Sequence, residues 1–148
     1  MKKENEEYFE TLADPILNSP NYQILKTFIQ HGQVTTYDHC VRVARTAFNL
    51  NRALHAGAEE KELVEACLLH DYYLYDWHHS GDHLHGYHHP FIAAENASRD
   101  FQADQLVQEA IRTHMWPLNI RRIPHSKTGW LLTLSDKICS LDETLLHR

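Results

Sequence analysis

Apolar residues recur along most of this chain at the three- and four-residue intervals that put them on one face of a helix. The clearest run spans about 38–55, where His39, Val43, Ala47, Leu50 and Leu54 are spaced by 4, 4, 3 and 4. Arg42, Arg45, Asn49 and Arg52 fall largely on other faces. Thr35 to Asp38, a Ser/Thr-x-x-Asp/Glu pattern just ahead of the run, predicts its N-cap. Gly57 closes this helix, and Glu59-Glu60 favour a new N-terminus through the macrodipole. The helix that follows, about 59–75, carries Leu63, Ala66, Cys67, Leu68 and Leu69 straight into His70-Asp71. Upstream, residues 1–7 are charged and predicted to fray. Tyr8, Phe9, Leu12, Ile16 and Leu17 predict a short first helix broken near Pro15 and Pro20. Ile24, Leu25, Phe28 and Ile29 predict a second helix ending near Gly32.

Downstream, residues 76–88 lack apolar periodicity and are read as a loop. Proline is favoured at the first helical position and disfavours helix at the residue before it, so Pro90 predicts a helix start with His89 at or near the N-cap. That helix continues through Ile92, Ala93, Ala97 and Phe101. Another holds Leu106, Val107, Ala110, Ile111 and His114, with His114 on the apolar stripe in its last turn. A second loop covers 116–127. A final helix, about 127–145, has Leu132, Asp136 and Cys139 in one row and Leu131, Leu134, Ile138, Leu141 and Leu145 as the broad apolar remainder. The pattern predicts an all-α, single-domain bundle of about six to seven helices covering 1–148, with its core at about 20–145.

Composition narrows the function. Hydrophobic content of 43% over 148 residues is ordinary for one soluble domain. A net charge of −6 offers no general basic footprint for a nucleic-acid polymer. No apolar run suits export or a membrane span, and three cysteines without CxxC spacing fit a reducing, cytoplasmic setting. The unusual count is thirteen histidines, six of them (His78, His79, His83, His85, His88 and His89) within twelve residues, which is compositional evidence for metal affinity.

Position sharpens that evidence. His39, His114 and Asp136 fall on apolar stripes, and a buried carboxylate needs a partner or a metal. With His70, Asp71 and His89 they form an inward-facing set of imidazoles and carboxylates, donors that suit iron, manganese or zinc.

The order His39, then His70-Asp71, then Asp136 resembles the HD superfamily of metal-dependent phosphohydrolases. The supporting contexts are Asp38-His39-Cys40-Val41-Arg42-Val43-Ala44, Cys67-Leu68-Leu69-His70-Asp71 and Leu134-Ser135-Asp136-Lys137, within roughly residues 35–145. The resemblance implies an HD-type helical bundle with one metal held by His39, His70, Asp71 and Asp136. His89 and His114 are similar to the extra histidines of the two-metal branch, which includes HD-GYP phosphodiesterases and certain di-iron oxygenases; in that branch Asp71 would bridge both ions. The chain departs from both relatives. It has His114-Met115 where HD-GYP enzymes have two histidines, lacks their Gly-Tyr-Pro element, and has Leu74 where the oxygenases have a further histidine. The second site is thereby one ligand short, with water, His85 or His88 to complete it.

The activity so implied is hydrolysis of a nucleotide or other small phosphoester by metal-activated water. One or two divalent ions per chain are expected, iron or manganese foremost, then zinc, nickel, cobalt or magnesium. Asp71 and Lys137 are the expected catalytic residues. Positive charge around the phosphoryl group would come from Lys137 and from Arg121 or Arg122, with His85 and His88 as further expected substrate contacts. Tyr72, Tyr73, Trp77 and Trp116 are candidates to flank a base. The rival expectations are a di-iron oxygenase on the same scaffold and a non-catalytic His-rich metal-binding module. The expected partner is a small molecule, with no membrane and with a homo-oligomer left open.

Overall fold

The computed structural model describes residues 2–78 and 84–145. Seven α-helices occur among them: α1 (Lys3–Leu17), α2 (Pro20–Gln23), α3 (Thr36–Ala53), α4 (Glu60–Leu69), α5 (His85–Phe101), α6 (Gln105–Arg112) and α7 (Lys127–Leu145). A short 3₁₀ turn (Ile24–Thr27) and a two-stranded hairpin, β1 (Ile29–His31) and β2 (Val34–Thr35), join α2 to α3. The expected helical bundle is therefore present, with α4 at its centre. That helix packs against α1, α3, α5, α6 and α7, and Leu63, Val64, Ala66, Cys67, Leu68 and Leu69 are all buried on it. A helix enclosed on most sides has no wide polar face, which is why its sequence is nearly continuous in apolar residues.

Two helix starts fall where the sequence placed them. The Thr35 hydroxyl accepts from the Asp38 amide at 3.1 Å, and the Glu59 carboxylate accepts from the amides of Lys61 and Glu62 at 3.1 and 2.7 Å. Each satisfies amides that would otherwise lack a partner at a helix start.

Several boundaries differ from expectation. Residues 3–7, expected to fray, are helical because the α3 arginines hold them: Arg45 Nε donates to Glu6 at 3.0 Å and Arg52 to Asn5 at 2.7 Å. Pro15 does not break α1, since it removes a single amide from the last turn. Phe9, Ala13 and Ile16 are buried, so the core starts ahead of residue 20. The helix predicted through Phe28 and Ile29 gives way to the hairpin, whose β-branched Ile29, Val34 and Thr35 flank a turn with Gly32 at φ 55°.

Further along, α4 stops at Leu69 rather than near 75, and Leu74 turns the chain at φ 64°. Helix α5 starts at His85, with the Tyr87 and His88 amides bonding back to the Leu84 carbonyl at 2.9 and 3.0 Å. His89 is thus inside a helix and not at its cap.

Candidate metal centre

The end of α4 brings His70 and Asp71 to the middle of the bundle, and four other elements converge on them. His39 sits in the first turn of α3, His89 in α5, His114 just beyond α6, and Asp136 midway along α7. All six residues that the sequence singled out as metal ligands are buried and meet in one place; His39, His70 and His114 are fully inaccessible.

The histidine rings share one orientation. His70 Nδ1 donates to the Cys67 carbonyl at 2.6 Å, His114 Nδ1 to the Ile111 carbonyl at 2.6 Å, and His89 Nδ1 to the His85 carbonyl at 2.9 Å. A carbonyl can only accept, so each of these rings carries its proton on Nδ1 and turns Nε2 inward. His39 does the same with a different partner, its Nδ1 lying 2.8 Å from Glu143 Oε1. Four rings held at Nδ1 with Nε2 converging is the arrangement by which outer partners aim histidines at a metal.

Asp71 divides this set in two. Its Oδ2 lies 3.5 Å from His39 Nε2 and 3.3 Å from His70 Nε2, whereas its Oδ1 lies 3.2 Å from His89 Nε2 and 3.6 Å from His114 Nε2. Asp136 Oδ1 joins the first group, 2.9 Å from His39 Nε2 and 3.3 Å from His70 Nε2. His39, His70, Asp71 and Asp136 each place one ligand atom within 4.8 Å of the others, and so do Asp71, His89 and His114.

This donor set fits divalent cations. His70 Nε2 and Asp71 Oδ1 are buried with no hydrogen-bond partner. His89 Nε2 and His114 Nε2 face each other at 3.0 Å. With both protons on Nδ1, two lone pairs confront one another there, and only an added proton or a metal ion between or beside them relieves the repulsion.

The electrostatics carry the same message. Burial alone would push His39 down, but the hydrogen bonds to Asp136 and Glu143 and the charges of Asp136 and Asp71 raise it to about 10. His70 also rises well above the usual histidine range, as the charges of Asp71, Cys40 and Asp136 outweigh its burial. Burial would raise Asp71 and Asp136, yet the histidines around them hold both well below the carboxylate range. His114 is lowered, chiefly by burial. In metal-free protein, protons stand in for part of the missing positive charge.

A cavity of about 720 Å³ opens onto Asp71, His89 and Asp136, with Gln30, His31, Trp77, His85, Met115 and Lys137 among its walls. Lys137 extends along it and donates to the His114 carbonyl at 3.3 Å, and partial loss of hydration lowers its pKa. The other expected substrate contacts divide. His85 lines the cavity, stacked on Trp77 at 5.1 Å and on His89 at 4.6 Å. His88 is exposed and does not line it. Arg121 and Arg122 are exposed and also lie outside it, with the Arg122 guanidinium instead 5.2 Å from the Phe91 ring centre. Both arginines follow Met115, Pro117 and Leu118, the residues after His114 that do line the cavity. Of the aromatics, Trp77 borders the cavity, whereas Tyr72 and Tyr73 are buried in the core. His79 and His83 lie outside the described residues, as does the middle of the expected 76–88 loop. Cys40, Cys67 and Cys139 are buried free thiols.

A model of the HD domain matches residues 36–141, more than two thirds of the chain. The chain belongs to the HD domain family. HD domains are typically metal-dependent phosphohydrolases, and the buried histidine–aspartate cluster of this one has the groups to hold a divalent ion. Neither the curated proteins nor the solved structures gave a match to the chain. No described helix of this HD domain is long and apolar enough to cross a membrane.

Three side chains at the centre escaped the sequence reading. Gln30 Nε2 donates to Asp71 Oδ2 at 2.8 Å. His31 packs edge-on against His39, with ring centres 5.5 Å apart. Both come from the hairpin, which the helical reading hid. Glu143 was legible in principle. It lies seven residues after Asp136, on the row that already holds Leu132, Asp136 and Cys139.

Proposed function

We propose that this HD domain is a phosphohydrolase that cleaves a small phosphoester, a nucleotide being the first choice, with two divalent ions at its centre. The observation that carries the reading is the division of Asp71, one oxygen facing His39 and His70 and the other facing His89 and His114. His39, His70, Asp71 and Asp136 would hold the first ion, and Asp71, His89 and His114 the second. Ions held there supply Lewis acidity, polarising a phosphoryl oxygen and bringing the pKa of bound water toward neutrality.

The chain's own residues do the rest. Asp71 fixes the spacing of the two sites. The apolar rings and chains of Trp77, Met115, Pro117 and Leu118 border the cavity beside the centre and limit the water that enters. Lys137 places an ammonium at the cavity wall, next to Asp136, where it can pair with a phosphoryl oxygen that gains charge. With His85 already along the wall, one further coordinating group for the second site is within the same cavity.

The test is metal analysis of protein prepared without a histidine tag, joined to a panel of phosphoesters assayed in air and under anaerobic conditions. The expected result is close to two ions per chain and hydrolysis that is equal in both atmospheres. Turnover that stops without dioxygen and resumes in air would replace this reading by the oxygenase one. Many weakly bound ions without turnover would point to a metal-binding module instead.

A further inference from the structure

The residues that touch the ligands from behind are not all of the matched family span. Gln30 precedes it and Glu143 follows it, and each meets a different member of the ligand set. We propose that Glu143 and Gln30 are positioning residues for the metal ligands, Glu143 strengthening the first site alone and Gln30 holding the carboxylate that both sites share. This inference rests on the two-ion reading above.

Three of the four inward histidines donate to neutral backbone carbonyls only three or four residues back in sequence. Such bonds come with the local helical geometry. His39 is the exception: its Nδ1–H meets a carboxylate 104 residues away in sequence, brought there by the last turns of α7. The Glu143 side chain is fully buried, its Oε1 meets His39 Nδ1 at 2.8 Å, and its Oε2 has no hydrogen bond, with the Arg42 guanidinium 3.7 Å away. Burying a carboxylate is unfavourable unless positive charge pairs with it, so Glu143 depends on the charge carried by the His39 ring. A cation on His39 Nε2 would supply that charge through the ring: the carboxylate makes the imidazole a stronger donor, and the cation in turn satisfies the carboxylate. His39 contributes to the first site only, so the benefit of Glu143 is confined to it.

Gln30 acts differently. Its Oε1 accepts from the Tyr73 hydroxyl at 2.6 Å and from the Thr36 hydroxyl at 3.2 Å, which fixes the amide so that its NH₂ must face Asp71 Oδ2. The hairpin therefore holds the bridging carboxylate in the plane that sends one oxygen to each site. Loss of that hold weakens both sites together.

The experiment is calorimetric titration of metal-free full-length chain with Mn²⁺, on the wild type and on Glu143→Gln, Glu143→Ala and Gln30→Ala. Far-UV circular dichroism and the melting temperature of each metal-free form are measured alongside. The wild type is expected to bind in two steps, the first at least tenfold tighter. Outer-partner changes elsewhere cost about 10–100-fold in affinity. Glu143→Gln, which keeps the shape and loses the charge, should therefore weaken the first step by about tenfold and leave the second within about twofold. Glu143→Ala should go further on the first step alone. Gln30→Ala should weaken both. A purely structural role predicts the opposite signature, a lowered metal-free melting temperature with both steps affected alike. If Glu143→Gln folds and its first step is unchanged, the positioning role of Glu143 is overturned while the two-ion reading stands. If the wild type itself takes up one Mn²⁺ or none, the two-ion reading falls, and this inference with it.

Discussion

Asp71 is the residue on which most of the centre depends. It touches four histidines and one amide, and among the described residues no other side chain is common to both ligand groups. Asp71→Ala is expected to be the most damaging single change, lowering metal content toward zero and the melting temperature of the metal-loaded protein with it, because binding free energy adds to folding free energy. His114→Ala removes a ligand of the second group only. Elemental analysis should show a fall from near two ions to near one, with the circular dichroism spectrum unchanged. A His114→Ala protein that still holds two ions would remove His114 from the ligand set. Lys137 bonds to the His114 carbonyl and to no ligand side chain, so Lys137→Ala should leave metal content intact and lower kcat at least tenfold, within the range that mutagenesis assigns to loss of one transition-state charge contact. Equal kcat in the variant would return Lys137 to the role of a solvated surface charge.

At the scale of elements, α4 carries the fold and the hairpin completes the site. Leu68 is fully buried on α4, among side chains from several other helices, so Leu68→Ala should cost about 2–5 kcal/mol by urea denaturation. Leu134 on α7 is 47% exposed, and Leu134→Ala should stay within about 0.5 kcal/mol of wild type. A large loss at Leu134 would mean that its face is covered in solution. The same contrast explains what could be read from the amino acids in order. The Thr35 cap, the helix start at Glu59 and the stripes of α3 and α4 are local in sequence, and they fall where the pattern put them. The hairpin does not follow from a local rule. Ile24, Leu25, Phe28 and Ile29 have helical spacing, but the antiparallel pairing of Ile29 with Thr35 takes the second half of that run. Since Gln30 and His31 are on that strand, they were hidden with it.

For the whole molecule, the centre ties folding, metal and pH together. In metal-free protein His39 is raised to about 10, above its unfolded value of about 6.5. A raised group contributes stability that is fully present below the unfolded pKa and is lost as pH rises through the folded one. Asp71 and Asp136 are depressed, so their contribution is present above about pH 4 and is lost as pH falls below it. His114, lowered by burial, opposes folding on the acid side. On the alkaline side, where the histidine contributions agree in sign, the metal-free melting temperature should fall between about pH 6.5 and 10. Metal must displace the protons on His39 and His70, so the stabilisation by Mn²⁺ should grow over the same interval, and calorimetry in buffers of different ionisation enthalpy should detect proton release. A Mn²⁺ stabilisation that does not vary with pH would show that no ligand proton is displaced.

The amino-acid order alone determined the class of fold and pointed to the six residues that meet at the centre, His89 through a cap position that the structure corrects. Apolar periodicity is a local property, and a carboxylate or histidine on an apolar stripe is conspicuous without coordinates. His39, His114 and Asp136 were each visible in that way, and His70-Asp71 stood at the end of the most apolar helix. What only the tertiary structure decided is which nitrogen and which oxygen of those residues face one another. The Nδ1 bonds that turn every Nε2 inward, the split of Asp71 between two groups, and the contacts of Gln30 and Glu143 join residues 41 and 104 positions apart. The exclusion of Arg121 and Arg122 from the cavity belongs with them, since it is set by the path of the chain after His114. Such contacts depend on how helices are rotated and stacked, and the packing of many side chains at once settles that rotation.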